Sequence, residues 1–349
     1  QTCALPILRW LTERGFPAEE IAQADADPAT TLEALAGQRA VRRGKVHTPR
    51  EVAARLGITT EDLAGKLLAS GYVAAGLDEV VLTDLDVAAL ESFVAAAEVF
   101  GDDPIEQFAR VVAAAAARVA EAAATLFIAA IEQPLIEDEA TPVVLAQANL
   151  AASYSLDTVP VVMEALLRSQ VEAANRRMRL SRQDSDEATV AIGFVDLVGF
   201  TPLSRRLDDA ELGRVLDGFE SRASDIATRH DGRVVKHIGD EVMFVAVDPN
   251  AACEIALELV EAVETLGRGV RPRGAVAFGP VLQRAGDYYG PVVNLASRVA
   301  ELAVPYEILV TEELVHAAEH WSLAFKPAGR RMLKGFEEPV SLWELQRDD

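Results

Sequence analysis

The sequence predicts two domains, an all-α first half and an α+β second half of the ferredoxin-like kind. Three observations predict this. The 349 residues exceed one ordinary domain. Ala and Leu recur at helical spacing as far as about residue 159. Beyond residue 188, β-rich runs alternate with helical periodicity.

In residues 1–160, short breaks at Gly15-Phe16-Pro17, Gly44 and Asp103-Pro104 separate the helices. The most apolar stretch, 111–131, is Ala-rich and interrupted by Arg118 and Glu121. It reads as a buried or interfacial helix of a soluble protein, and no membrane span is expected. Residues 48–73 have the pattern of a helix-turn-helix, with Ala53, Leu56, Gly57 and Ile58 before a second helix. Pro160 interrupts the pattern, and an amphipathic segment, 161–180, runs into the basic cluster Arg176, Arg177, Arg179 and Arg182. The polar, aperiodic run 181–187 marks the junction, so 161–187 is expected to be a linker or transmitting helix and 188–349 the second domain.

That domain opens on a strand at 188–195 and a helix at 208–230, followed by strands at 233–238 and 241–247 around Gly239-Asp240, a hairpin signal. A helix at 250–266, a strand at 273–282 with a long tail to Tyr289, and a helix at 290–302 follow. Residues 310–320 read as mainly helical, and the closing strands include 340–345.

The net charge of −22 repels phosphate backbones, so DNA binding is not expected, with only Arg42, Arg43 and Lys45 as basic support beside the helix-turn-helix segment. A small polyphosphate remains admissible where metal ions screen the carboxylates. The two cysteines, Cys3 and Cys253, sit in no metal or redox spacing, which fits a reducing cytoplasm. No secretory leader is recognisable, and the chain opens on Gln1.

Three stretches carry chemistry. In Ala191-Ile192-Gly193-Phe194-Val195-Asp196-Leu197-Val198-Gly199-Phe200-Thr201 an apolar strand ends on an Asp and a Gly-containing turn. An ionised carboxylate there needs a partner, such as a divalent cation; it would also serve as a helix cap. Backbone N–H groups of the turn, at Phe200 and Thr201, can approach phosphate oxygens. In Lys236-His237-Ile238-Gly239-Asp240-Glu241 a hairpin presents Asp240 at its turn. Alone this is ordinary turn chemistry. Two aspartates at strand ends in one domain suit a pair of Mg²⁺ or Mn²⁺ ions ~3.5–4 Å apart that move phosphoryl groups. In Asp287-Tyr288-Tyr289-Gly290-Pro291-Val292-Val293-Asn294-Leu295-Ala296-Ser297-Arg298 a helix carries Asn294 and Arg298 four apart on one face. They could orient a ribose and neutralise charge on a phosphorane, or form a plain solvated face.

Over about residues 189–345 these stretches resemble the catalytic motifs of class III nucleotide cyclases. The resemblance implies metal-binding at Asp196 and Asp240, with the Leu197 carbonyl on the second ion. It makes Lys236, four before Asp240, and Asp287, seven before Asn294, the adenine-selecting pair, with Asn294 and Arg298 catalytic. Adenine offers a donor at N6 and an acceptor at N1. Lys236 only donates and ionised Asp287 only accepts, so ATP is the expected substrate. Resemblance further implies attack of the ribose 3′-oxygen on the α-phosphorus, loss of pyrophosphate, and two sites shared between the subunits of a homodimer. Lys334, in Met332-Leu333-Lys334-Gly335, is a candidate phosphate contact, or a surface Lys near a turn.

The first half resembles the helical regulatory domain of soluble actinobacterial cyclases, through Trp10-Leu11-Thr12-Glu13-Arg14-Gly15, Glu19-Glu20-Ile21 and Arg50-Glu51-Val52. This implies inhibition of catalysis and a response to pH, with 161–182 transmitting the signal; the apolar helices around 111–131 leave lipid binding equally open. His47 is its single histidine, and His230, His237, His316 and His320 lie in the second half without clustering. Two other functions fit less well. A diguanylate cyclase would carry a second Gly in place of Ile238 and lack Lys236, and a catalytically dead regulator would have lost one of the six site residues.

Overall fold

The computed structural model describes residues 5–27, 30–72, 82–182, 187–264, 270–319 and 322–348, without the side chains of Leu5, Thr201, Asp209 and Glu264. The expectations for Val73, for 183–186 in the junction, for the helix end at 265–266, for His320 and for the Thr201 side chain lie outside the described residues. Contacts divide the chain into two compact units, Gln1–Arg168 and Ser169–Asp349.

The first unit runs α1 (Leu5–Glu13), α2 (Ala18–Ala26), α3 (Leu32–Val41), β1 (Val46–His47), α4 (Pro49–Leu56), α5 (Thr60–Ala69), β2 (Leu82–Thr83), α6 (Asp84–Phe100), α7 (Asp102–Phe127), α8 (Gln133–Glu137) and α9 (Pro142–Ser155). Local chemistry sets many of these ends. Thr48, Thr59 and Thr83 each close a capping box, with Glu51, Asp62 and Asp86 respectively, that satisfies orphan N–H groups at the starts of α4, α5 and α6. Pro49 occupies the first turn of α4, and Gly57, at φ 68°, ends it in the left-handed region. Two cores result, one around Ile7, Trp10, Leu11 and Leu35, the other around Val52, Leu63, Leu82 and Leu90.

Helix α10 (Val159–Leu180) carries the boundary between the units. Pro160 sits in its first turn, where the missing N–H costs nothing, and so does not break it. Of the two expectations for 111–131, buried or interfacial, the first is corrected: in α7 only Ala109 is buried, while Val112, Val119 and Leu126 are exposed. The reading that no stretch has membrane-spanning character is revised as well. Two helical runs, Asp102–Glu137 and Pro142–Leu180, are long and apolar enough to cross a membrane.

The second unit follows as β3 (Thr189–Val198), α11 (Phe200–Ser204), α12 (Asp209–Arg229), β4 (Arg233–Ile238), β5 (Glu241–Ala246), α13 (Pro249–Glu264), β6 (Arg271–Pro280), β7 (Leu282–Arg284), β8 (Asp287–Tyr289), α14 (Pro291–Leu302), β9 (Ile308–Thr311), α15 (Glu312–Ala317), β10 (Leu323–Arg331) and β11 (Val340–Arg347). Seven strands form one sheet in the order β10-β11-β9-β6-β3-β5-β4, with β6 and β9 parallel and the other pairs antiparallel. The side-chain period of two sends alternate residues of β3 to opposite cores. Ala191, Val195 and Leu197 join Phe219, Ile255 and Leu314 of α12, α13 and α15, whereas Val190, Ile192 and Phe194 join Val292, Ala296 and Val299 of α14. Gly193 leaves room for the Phe244 ring; a Cβ there would lie 2.0 Å from its Cζ.

Two expectations change. Residues 310–320 are mainly helical, at Glu312–Ala317, but Val310 and Thr311 belong instead to Ile308–Thr311, a fully buried strand paired with β6. A four-residue apolar run has no period of its own, and the neighbouring strand decided its state. The tail to Tyr289 is a hairpin of β7 and β8, turned at Ala285 (φ 53°) and Gly286 (φ 79°).

Candidate active site

Three corners of the second unit hold the residues singled out above. The first lies where β3 ends and β5 begins. Gly239, at φ 65°, allows the tight β4–β5 turn, and the Leu197 N–H donates to the Asp240 carbonyl at 3.2 Å, tying that turn to β3. Asp196, Leu197 and Asp240 are thereby brought together. Asp196 also stands in register between Glu241 on β5 and Arg273 on β6. Arg273 donates through Nε and Nη2 to Asp196 Oδ2 at 2.9 and 2.8 Å. Through Nη1 it also reaches the Glu301 and Ala303 carbonyls at the end of α14, at 2.9 and 3.3 Å.

The electrostatics of this corner favour a cation. Burial, aided by the Asp196 charge, holds the Asp240 carboxyl above its usual range. Burial and then the Asp196 charge push Glu241 up to about 7. Carboxylates crowded this way repel one another, and one guanidinium answers them. Among the described residues no three His, Cys, Asp or Glu side chains form a metal cage. Mg²⁺ is commonly held by one or two carboxylates together with substrate phosphates. The donor set therefore fits divalent ions that arrive with a polyphosphate.

The second corner pairs Lys236 Nζ with Asp287 Oδ2 at 2.5 Å. Asp287 Oδ1 accepts the Tyr288 N–H at 2.8 Å. Burial raises the Asp287 carboxyl, but these two hydrogen bonds and the charges of Lys236 and Arg233 outweigh it, and the net direction is down. The pair thus presents a fixed donor beside a fixed acceptor, both partly open to solvent.

In the third corner, Pro291 starts α14 after Gly290, at φ 131°, and projects Asn294 and Arg298 into an open pocket of about 610 Å³. Ser297, Glu301, Lys334, Gly335 and Phe336 complete its lining. Arg298 Nη1 donates to Glu301 Oε1 at 2.7 Å. The Phe200 side chain packs against the hydrophobic core, so its backbone is the part left for a ligand.

Glu241, Arg273, Ser297 and Glu301 escaped the sequence reading. Glu241 directly follows the predicted Asp240 and could have been found from that. Arg273 carries no such signal, because only the β3–β6 register sets it opposite Asp196.

A family model for the adenylate and guanylate cyclase catalytic domain matches residues 182–346. An uncharacterized Mycobacterium tuberculosis protein is 32% identical over 342 residues, covering 97% of this chain and 89% of that protein. An adenylate cyclase of Streptomyces coelicolor is 33% identical over 317 residues, covering 87% and 80%. The chain belongs to the class III adenylate cyclase family. A pH-sensitive adenylate cyclase of Mycobacterium tuberculosis is 30% identical to this family member over 357 residues, covering 98% of this chain and 87% of the relative.

In the helical unit of this class III member, the helix-turn-helix pattern corresponds to α4 and α5. The first turn of α5 carries Glu61 and Asp62, which would face phosphates with the wrong charge. Arg42 pairs with Asp86 at 3.0 Å, and Arg43 pairs with Asp157. His47 Nε2 lies 2.6 Å from Asp84 Oδ1.

Proposed function

We propose that this chain converts ATP to 3′,5′-cyclic AMP and pyrophosphate. The observation that carries the choice of base is the Lys236–Asp287 pair, whose donor and acceptor match N1 and N6 of adenine. Asp196 and Asp240, with the Leu197 carbonyl, would hold two divalent ions, Mg²⁺ or Mn²⁺. Bound there, such ions would acidify the ribose 3′-hydroxyl and neutralise the triphosphate. Asn294 orients the ribose so that its 3′-oxygen faces the α-phosphorus in line. As pyrophosphate leaves, Arg298 stabilises the charge that develops. Lys334, which lines the same pocket as Arg298, and the backbone at Phe200 and Thr201 contact the outgoing phosphates.

The working form is a homodimer in which Asp196 and Asp240 of one protomer face Lys236, Asp287, Asn294 and Arg298 of its partner. We take 1–160 as regulatory and 161–187 as the transmitting segment, acting in the cytoplasm without crossing a membrane. The regulatory signal is a proton or a lipid, and a relative named for pH sensitivity supports the first.

The test is to incubate purified protein with Mn²⁺ and either ATP or GTP and measure cyclic product. Cyclic AMP as the main product is expected; a preference for GTP, or no product from either, overturns the reading. Chains with Asp196→Ala and chains with Arg298→Ala, each inactive, should regain activity when mixed. Continued silence where heterodimers form sinks the shared site. Regulation is read from the activity ratio of the full chain to residues 169–349 between acid and neutral pH, and a flat ratio removes the proton as signal.

A further inference from the structure

We infer that Arg233 is a positioning residue for base selection, which sets the Asp287 carboxylate without touching substrate. The inference rests on the proposed role of the Lys236–Asp287 pair. Arg233 and Lys236 are three apart on β4, so an unbroken strand would point them to opposite faces of the sheet. The register is not unbroken: Arg233 opposes Val245 and Val234 opposes Phe244, but Lys236 opposes Met243. One extra residue on β4 bulges there and shifts the parity. Met243 and Val245 both belong to the core beneath α14, and Phe244 to the opposite one. The bulge therefore turns both cations of β4 toward the same face, the one that carries the β7–β8 hairpin with its buried Tyr288.

Together they hold three consecutive hairpin residues. Arg233 Nη2 donates to the Gly286 carbonyl at 2.8 Å, and its guanidinium lies 5.7 Å from the Tyr288 ring centroid. Between those contacts, Lys236 takes the Asp287 carboxylate. Hydrogen-bonded strands of three residues each are too short to keep a hairpin rigid alone. A planar fork that bonds one residue and stacks on another fixes the backbone on both sides of Asp287. A loosened turn would let that carboxylate swing, and the donor–acceptor pattern facing the purine would blur.

The experiment compares wild type, Arg233→Gln and Arg233→Lys in the full-length protein. It measures steady-state kinetics with ATP and GTP, and amide hydrogen exchange of the β7–β8 hairpin without nucleotide. For Arg233→Gln the ATP KM should rise roughly five- to tenfold with kcat within about twofold, because a positioning loss weakens binding more than chemistry. The ATP-over-GTP ratio of kcat/KM should fall about tenfold, equivalent to about 1.4 kcal/mol, and hairpin amides should exchange faster. Arg233→Lys keeps the charge and one donor but not the fork, and should fall between the two. Wild-type KM, selectivity and exchange in Arg233→Gln would overturn the inference. If Arg233→Gln does not fold, Arg233→Lys decides: weaker selectivity with faster exchange supports the clamp, and wild-type values in both overturn it. A wild-type chain inactive with both nucleotides would defeat the proposed function instead, while the exchange comparison would still judge whether Arg233 holds the hairpin.

Discussion

The two units bury their apolar residues in different ways. In α7, 26 residues long, Ala109 alone is buried, and along α10 no residue is. In β3, by contrast, six consecutive residues from 190 to 195 are buried, and each face of the strand has its own core. A sheet covered on both sides completes itself within one chain, whereas long helices with apolar stripes left outward are built to meet something else. The contrast also explains where chemistry sits. Asp196 is placed by a strand locked on both sides, β3 between β5 and β6, and β5 in turn carries the turn at Asp240 and the edge strand β4 that holds Lys236.

The largest expected effect breaks the comparison at the site. Asp240→Ala should lower turnover with either nucleotide by at least about a thousandfold, because an ion loses a ligand. Substitution of exposed Leu166 on α10 by Ser should leave melting of the second unit unchanged. Cyclic-product assays and calorimetry check both.

A smaller effect follows from introducing one methyl group into each unit. Gly193→Ala would drive a Cβ into the Phe244 ring and should cost the second unit about 1–3 kcal/mol. Gly65→Ala, inside α5 with nothing within 4 Å of the new Cβ, should instead stabilise the first unit by roughly 0.5–1 kcal/mol. Native-state hydrogen exchange reads each unit separately.

The smallest effect is a pair of opposite pH slopes. Burial alone would raise the Asp86 carboxyl, but hydrogen bonds from Tyr72 and Thr83 and the Arg42 charge carry it below the usual value. Its contribution is present above the unfolded Asp value, near pH 4, and is lost as pH falls through the lower folded value. Glu241, at about 7, lies above its unfolded value, so its contribution is greatest below that value and is lost as pH rises through about 7. In chelated protein, Asp86→Asn should flatten the acid limb of first-unit protection. Glu241→Gln should flatten the neutral limb of the second. Equal slopes before and after either change would contradict the assignment.

Much of the fold was legible because its signals are local. The Gly239-Asp240 hairpin signal and the periodicity of α12 and α13 act within a few residues. The same holds for Asp196, Asp240 and the Lys236, Asp287, Asn294 and Arg298 spacings. Val310 and Thr311 of β9 read as part of the following helix because so short an apolar run fits either period. The β7–β8 hairpin reads as a tail because Ala285 takes the left-handed position before Gly286, where a second Gly or an Asn would announce the turn.

The candidate site residues and the succession of a helical half by an α+β half can be read from the sequence alone, since residue type and local period are properties of the chain itself. Tertiary structure decided which way those residues point. A single extra residue in β4 set Arg233 and Lys236 on one face, and the β3–β6 register gave Asp196 its guanidinium. Side-chain direction in a sheet follows from the register of pairing, which for β4 includes a bulge and for β3 involves β6, distant in sequence, and no local pattern encodes either.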